Sequence, residues 1–247
     1  MNLTRSKNET VFGSATLRLM VALHSVYKSV SVFTLTYDYL KRSYRDGADT
    51  PTLKRDWAAD ILTKVGVSVE VIGEPSQQSG VLFLGNHISY LDIPLLMNAT
   101  HNISFVAKEE VRRWPVIGSG ARAINTIFVK RSCGKQRAAT KVVIAEELLN
   151  GARIALFPAG TTCMDESKAW RRGAFEIAKD YSIAVQPFRI RYTPLRTAAY
   201  IGRDFFPLHL YQLAKRGGVV ATLEFHPLIQ VADVEASCQQ WQAWSRA

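Results

Sequence analysis

Two side chains suited to proton transfer stand close together in this chain. They are His87 and Asp92, in the stretch Gly85-Asn86-His87-Ile88-Ser89-Tyr90-Leu91-Asp92. A neutral imidazole can take a proton near pH 7, and a carboxylate on its other nitrogen fixes the tautomer and stabilises the imidazolium that forms. The spacing suits such a pair. An apolar run, Val81-Leu82-Phe83-Leu84, reads as a buried strand that ends at Gly85, and the next helix begins near Ser89 or Tyr90. Asp92 then falls in the first turns of that helix, where the dipole favours a carboxylate and the side chain can reach back to the imidazole. Taken alone, the same residues also describe an ordinary capped helix beside a satisfied loop histidine.

Three further stretches carry polar residues to the ends of predicted strands, where open α/β sheets place their sites. The first is Phe105-Val106-Ala107-Lys108-Glu109-Glu110, continued through Trp114-Pro115 and Gly118 to Ile127-Phe128-Val129-Lys130-Arg131. The next is Leu156-Phe157-Pro158-Ala159-Gly160-Thr161-Thr162, and the last is Val185-Gln186-Pro187-Phe188. Each alone fits a solvated charge or a plain turn.

The elements that position these stretches follow from periodicity. Strands are predicted at 67–72, 81–84, 103–107, 124–129, 153–157, 183–190, 197–202 and 219–225. Helices are predicted at 52–65, 92–99, 136–150 and 172–180 and from 231 to the end, with a brief one at 110–114 that Pro115 interrupts. In the helix 136–150, Val142, Val143, Ala145, Leu148 and Leu149 are expected to face inward. Alternating strands and helices predict an α/β fold: a mixed, largely parallel sheet flanked by helices.

From Val11 to about Tyr44 the chain is rich in Leu, Val, Phe and Tyr, with Arg18, Lys28, Lys41, Arg42 and Arg45 at intervals. One or two amphipathic helices with a basic fringe suit a membrane interface, and a helix packed on the chain's own core is the alternative. The charges leave no run of about 18 uncharged apolar residues for a confident span. The chain thus divides into an interfacial helical segment, 1–50, and a main domain, 51–247. Tyr200, Phe205, Phe206, Tyr211, Trp241 and Trp244 could add an interfacial edge, or could equally be core.

The composition narrows the classes. With 47% apolar and 21% charged residues, the 247-residue chain is neither disordered nor a multi-span membrane protein. Lys and Arg exceed Asp and Glu by 31 − 21 = 10, an excess that suits an anionic partner. There is no helix-turn-helix, zinc-finger or aromatic RNA-binding motif, so a nucleic acid is not expected. Cys133, Cys163 and Cys238 are scattered, with no metal-ligand spacing, and suggest incidental thiols in a reduced compartment. Arg18, His24 and Lys28 interrupt the N-terminal apolar stretch, unlike a secretory signal.

Taken together and in this order, the motifs resemble the 1-acyl-sn-glycerol-3-phosphate acyltransferase family of glycerolipid and lysophospholipid acyltransferases. The likeness covers about residues 80–190. The family hallmark Asn-His-x-Ser-x-x-Asp is matched at Asn86, His87, Ser89 and Asp92. The resemblance implies a membrane-associated O-acyltransferase of phospholipid biosynthesis, on the cytoplasmic face. It implies an acyl chain passed from acyl-CoA or acyl carrier protein to the free hydroxyl of a lysolipid. The first acceptor implied is 1-acyl-sn-glycerol-3-phosphate, giving phosphatidic acid; another lysophospholipid, a lyso-ornithine lipid, or a catalytically impaired lipid-binding relative are the alternatives. By the same resemblance His87 is the general base and Asp92 its partner. Asn86, Ser89, Lys108, Arg131, Gly160 and Thr161 are substrate-binding residues, with Lys108 and Arg131 meeting the acceptor phosphate. Ser89 could also cap the helix, and backbone amides near Gly160-Thr161 could hold the oxyanion. No metal or cofactor is expected, the acyl donor being a substrate.

Two positions depart from the family. Its third motif reads Phe-Pro-Glu-Gly-Thr-Arg, whereas this chain has Phe157-Pro158-Ala159-Gly160-Thr161-Thr162. Ala159 removes a carboxylate, which Asp165 or Glu166 could replace, and Thr162 removes a cation near the expected phosphate. Both changes favour acceptors other than a simple phosphomonoester.

Overall fold

The computed structural model describes residues 5–45, 49–114, 117–129, 134–165, 167–202 and 204–246. In chain order the elements are α1 (Arg5–Ser43), α2 (Thr50–Val65), β1 (Val67–Ile72), β2 (Leu82–Gly85), α3 (Asp92–Ala99) and β3 (Ile103–Lys108). A 3-10 turn, Glu109–Arg113, leads to α4 (Ile117–Ala123), β4 (Ile127–Val129), α5 (Gly134–Leu149) and β5 (Arg153–Leu156). Then come α6 (Gly173–Asp180), β6 (Val185–Thr193), α7 (Leu195–Ala198), α8 (Phe206–Arg216), β7 (Val219–Phe225) and α9 (Val234–Arg246).

Among the described residues seven strands form one sheet in the order β1-β7-β6-β2-β5-β3-β4. Every neighbouring pair is parallel except β6 and β7. The mixed, largely parallel sheet expected from the alternating pattern is therefore present. Parallel crossovers cover both faces of a sheet with helices, so β2 is an unbroken apolar run, buried at all four positions. Its alternate side chains serve two cores. Phe83 packs with Ala58, Leu62, Leu95 and Leu210, on the side of α2, α3 and α8. Leu82 and Leu84 pack with Ile144, Leu148, Phe175 and Trp241, on the side of α5, α6 and α9.

Three expectations need correction. Residues 197–202 form no strand: Leu195–Ala198 is a short helix, and the helix Phe206–Arg216 was not anticipated. On α5 the sheet takes a narrow stripe, burying Ile144, Ala145 and Leu148, while Val142, Val143 and Leu149 are 43%, 44% and 61% exposed. An apolar arc wider than the contact it serves misleads a reading by periodicity. Finally, Trp241 is core and Trp244 packs against that core, stacked edge-on with His226, so neither forms an interfacial edge.

The N-terminal region is one uninterrupted helix of 39 residues, about 58 Å long. From Leu17 to Ser43 it is long and apolar enough to cross a membrane by length and composition. That exceeds the sequence expectation, in which the scattered charges left no confident span. Its second half packs on the fold, with Trp57 Nε1 donating to Thr36 Oγ1 at 3.1 Å and the Tyr39 hydroxyl donating to Asp60 at 2.9 Å. Its first half leaves Leu17, Leu19, Met20, Leu23 and Tyr27 each at least 60% exposed.

Candidate active site

The C-terminal end of β2 lies at the centre of the sheet, between β5 and β6. At Gly85 a Cβ would collide with the carbonyl and ring of Phe188 on β6, so only glycine lets the two strands approach here. Asn86 then continues the ladder with its side chain. Its amide nitrogen donates to Ile190 O at 2.8 Å, and its amide oxygen accepts from Ile190 N at 2.7 Å. Satisfied and 3% exposed, Asn86 anchors the turn from behind. Expected to bind substrate, Asn86 has its side chain engaged with Ile190 and is not among the residues that line the cavity beside His87.

The turn is pinned at two more points. Cys163 N donates to His87 O at 2.8 Å, and Tyr200 N donates to Ile88 O at 3.1 Å. Inside it lies Asp92, fully buried, receiving four donors. One carboxylate oxygen accepts from His87 Nδ1 at 2.7 Å, Ile88 N at 2.7 Å and Ser89 N at 3.1 Å. The other accepts from the Tyr192 hydroxyl at 2.7 Å. Burial, and then the carboxylate itself, push the Tyr192 phenol well above its ordinary range, so it remains a donor. Because the carboxylate can only accept, His87 carries its proton on Nδ1 and presents Nε2 as the basic nitrogen.

The imidazole lies against Phe157, ring centroids 4.1 Å apart and planes within 15°. Phe157 meets Phe188 edge-on at 5.9 Å. The histidine is therefore held by a hydrogen bond at one edge and a ring on one face. Its side chain is 20% exposed, and it lines a cavity of about 730 Å³.

That cavity is predominantly apolar. Its walls come from α1 (Val32, Phe33, Leu40), α2 (Leu53, Trp57, Ile61), α3 (Ile93, Met97), β3 (Phe105), α4 (Ile117) and Ile124 just after it. The second half of α1 thus roofs the site, so a division of the chain at residue 50 cuts through the cavity wall.

The remaining expected residues fall as follows. Lys108 stands at the exposed end of β3 and lines the cavity, without an ion-pair partner among the described residues. With β5 between them, β3 and β2 put Lys108 and His87 at the same edge of the sheet, about 10 Å apart across it. Arg131 lies outside the described residues, two positions beyond Val129, which pairs with Lys108. Ser89 is buried, and its hydroxyl has no partner among the described residues, so it neither caps α3 nor reaches the cavity. No side chain among the described residues caps α3, and the Asp92 carboxylate instead takes the two amides of the turn that precedes it.

Gly160, with φ at +72°, turns the chain after β5 and also borders the cavity. Its amide is committed to Phe157 O at 2.9 Å and cannot serve an oxyanion in this arrangement, contrary to expectation. Thr161 and Thr162 also line the cavity, and neither has a hydrogen-bond partner among the described residues. The open donors of this loop are theirs. Ala159 is 5% exposed within the core of Leu82, Leu84 and Trp170. Asp165 is engaged within its own loop: it accepts from the Cys163 thiol at 2.9 Å and Ser167 N at 3.1 Å, bonds that hold its carboxyl at about 2. Glu166 lies outside the described residues.

Sequence reading missed Tyr192 and Phe157 as parts of the site, and it missed a second network nearby. Tyr90 lines the cavity and its hydroxyl donates to His209 Nδ1 at 3.0 Å, while His209 Nε2 donates to Ala199 O at 2.9 Å. Tyr192 has no local signal, since it lies 100 residues from the carboxylate it serves.

Chemically, a buried carboxylate, an oriented imidazole with a free basic nitrogen, an apolar cavity and unbonded donors in one loop can run acyl transfer from a thioester to a hydroxyl. Comparison with known proteins agrees. A family model described as Acyltransferase matches residues 68–191. The lyso-ornithine lipid O-acyltransferase of Pseudomonas aeruginosa is 34% identical over 209 residues, 80% of each chain. The 1-acyl-sn-glycerol-3-phosphate acyltransferase of Neisseria meningitidis serogroup B is 28% identical over 182 residues, 71% of each. The crystal structure of the 1-acyl-sn-glycerophosphate acyltransferase PlsC from Thermotoga maritima superposes with a TM-score of 0.68, over 94% of both chains at 21% identity, a likeness of fold. With the His87–Asp92 pair in place at the end of β2, this chain belongs to the acyltransferase family, and it is an acyltransferase.

Proposed function

We propose that the chain transfers a fatty acyl group from an acyl thioester to the free hydroxyl of a lysolipid at a membrane surface. One observation carries this reading: His87, held by Asp92 at 2.7 Å, turns its free edge into an apolar cavity of about 730 Å³. The acceptor hydroxyl loses its proton to His87 Nε2 as its oxygen attacks the thioester carbonyl. The tetrahedral oxyanion is met by the donors of Thr161 and Thr162. Its collapse breaks the C–S bond, and the proton on His87 passes to the departing sulfur, leaving ester and thiol. Asp92 stabilises the imidazolium between the two transfers. No enzyme nucleophile is needed.

The donor is acyl-CoA or acyl carrier protein, either of which suits a chain of net charge +10. The exposed apolar first half of α1, with Phe205 just before the adjoining α8 and Leu208 on it at 68% and 53% exposure, supports docking on a membrane, which we place at its anionic cytoplasmic face, where the acyl donors are met.

Two acceptors are in view. Lys108 at the cavity, with Arg131 following β4, suits the phosphate of 1-acyl-sn-glycerol-3-phosphate. Thr162 in place of a cation, and the 34% identity to a lyso-ornithine lipid O-acyltransferase, support a lyso-ornithine lipid instead. The full-length protein in membranes, given labelled acyl-CoA or acyl carrier protein and both lysolipids, should yield a diacyl product of one acceptor by mass. No transfer to any lysolipid, with binding to liposomes retained, would leave only a lipid-binding relative.

A further inference from the structure

The apolar cavity does not end in apolar side chains. Its far end is bordered by Ser43, Thr50 and Lys54, and the same residues line a second, polar pocket of about 370 Å³ completed by Asn102, Arg122 and Asn125. Lys54 lies on the inner side of α2 and is 7% exposed. Among the described residues no carboxylate pairs with it, and its hydrogen bond is long, 3.5 Å to the Asn102 side chain. Burial lowers the pKa of its amine. A lysine has three donors, and a buried donor left without an acceptor is costly. This amine is therefore under-bonded where the apolar lining stops.

Its position gives that polarity a use. Asn102 immediately precedes β3, and Lys108 closes the other end of that strand. Six strand residues cover about 20 Å, so Lys54 and the histidine edge of the sheet mark opposite ends of the cavity. An acyl chain whose thioester lies at His87 and whose tail follows the apolar walls runs towards Lys54.

We propose that Lys54 sets the length of acyl chain transferred, by ending the apolar lining with an under-bonded amine and not with bulk. Methylenes up to that point exchange water for apolar contact. A methylene beside the amine gains no such contact and strips the water that serves the free donors from the polar pocket. Chains that would reach past Lys54 are disfavoured, and a chain bearing an oxygen at that end supplies the missing acceptor. The inference rests on the acyltransferase reading and on the chain lying in this cavity.

The test uses full-length protein in membranes, one lysolipid acceptor and a series of saturated acyl-CoA donors of increasing length. For the wild type, kcat/KM should rise with length to a limit and then fall. Lys54→Met preserves side-chain length but removes the amine. It should move the limit to longer chains, with a gain of about 4-fold for each methylene beyond the old limit, the ratio that corresponds to about 0.8 kcal/mol per buried CH₂. Lys54→Arg should keep the wild-type limit. An ω-hydroxyacyl-CoA of limiting length should outperform its unsubstituted counterpart with the wild type and lose that advantage in Lys54→Met. Superimposable wild-type and Lys54→Met profiles would overturn the proposal, as would Met and Arg variants shifting together. A wild type that transfers no chain of any length would instead defeat the acyltransferase reading, and the proposal with it.

Discussion

The molecule contains two partly or wholly buried histidines set among aromatic rings beside the same cavity, and only one is equipped as a base. His87 gives Nδ1 to a carboxylate and leaves Nε2 free at the cavity. His209 spends both nitrogens, accepting from Tyr90 at Nδ1 and donating to Ala199 O from Nε2. His87 is 20% exposed at its side chain, and His209 is 6% exposed overall. Residue type and aromatic company are thus shared, and the difference lies in what the second nitrogen meets. A carboxylate on one side and an open edge on the other make proton transfer possible; a phenol and a carbonyl make a strut.

That contrast can be broken most severely at His87. Replacing it with Ala should lower kcat by about 10²–10⁴-fold, the range of a positioned general base, while the melting temperature changes little. The comparison fails if His87→Ala retains most of its acyl transfer.

A smaller effect is expected one bond further back, at Tyr192. Tyr192→Phe leaves one oxygen of the buried Asp92 without its donor, a loss of about 1.5–3 kcal/mol for a bond to a charged group. Denaturant titration should record that loss, and kcat should fall by less than in His87→Ala as the imidazole–carboxylate pair loses support. Unaltered stability and an unaltered kcat would remove Tyr192 from the site.

The mildest change concerns His209. Burial holds its pKa below the ordinary imidazole range, so between that value and about 6.5 the unfolded chain binds the proton that the folded chain refuses. The stabilisation from neutral His209 is present above about pH 6.5, falls as the pH drops towards the folded value, and levels off below it. Melting temperatures of the wild type should therefore decline over that interval more steeply than those of His209→Gln. Parallel curves would show that His209 is not the group responsible.

How legible the site was depends on how far apart its partners lie in the chain. His87 and Asp92 are five positions apart, and one strand end plus one helix turn suffice to join them. Their pairing was readable, as were Val81–Leu84 as a buried strand and the mixed sheet. Asn86 and Ser89 belong to the same motif but do not line the cavity: motif membership does not say which way a side chain points once a strand leaves its sheet. The helix Phe206–Arg216 does carry a helical signal, since His209, Leu210, Leu213 and Ala214 recur at helical spacing and form its buried face, but it was passed over between the expected strands.

Local chemistry in the chain determined the His87–Asp92 pair, the strand that delivers it and the α/β class, because each depends on neighbours within a few residues. Only the tertiary structure decided the rest. It brought Tyr192 from β6 to Asp92, bound the Gly160 amide and left Thr161 and Thr162 open, buried Ala159 in the core, and laid α1 over α2 to enclose an apolar cavity that ends at Lys54. Those features depend on which elements become neighbours when the sheet orders its strands β6-β2-β5-β3, a selection made by packing across the whole fold.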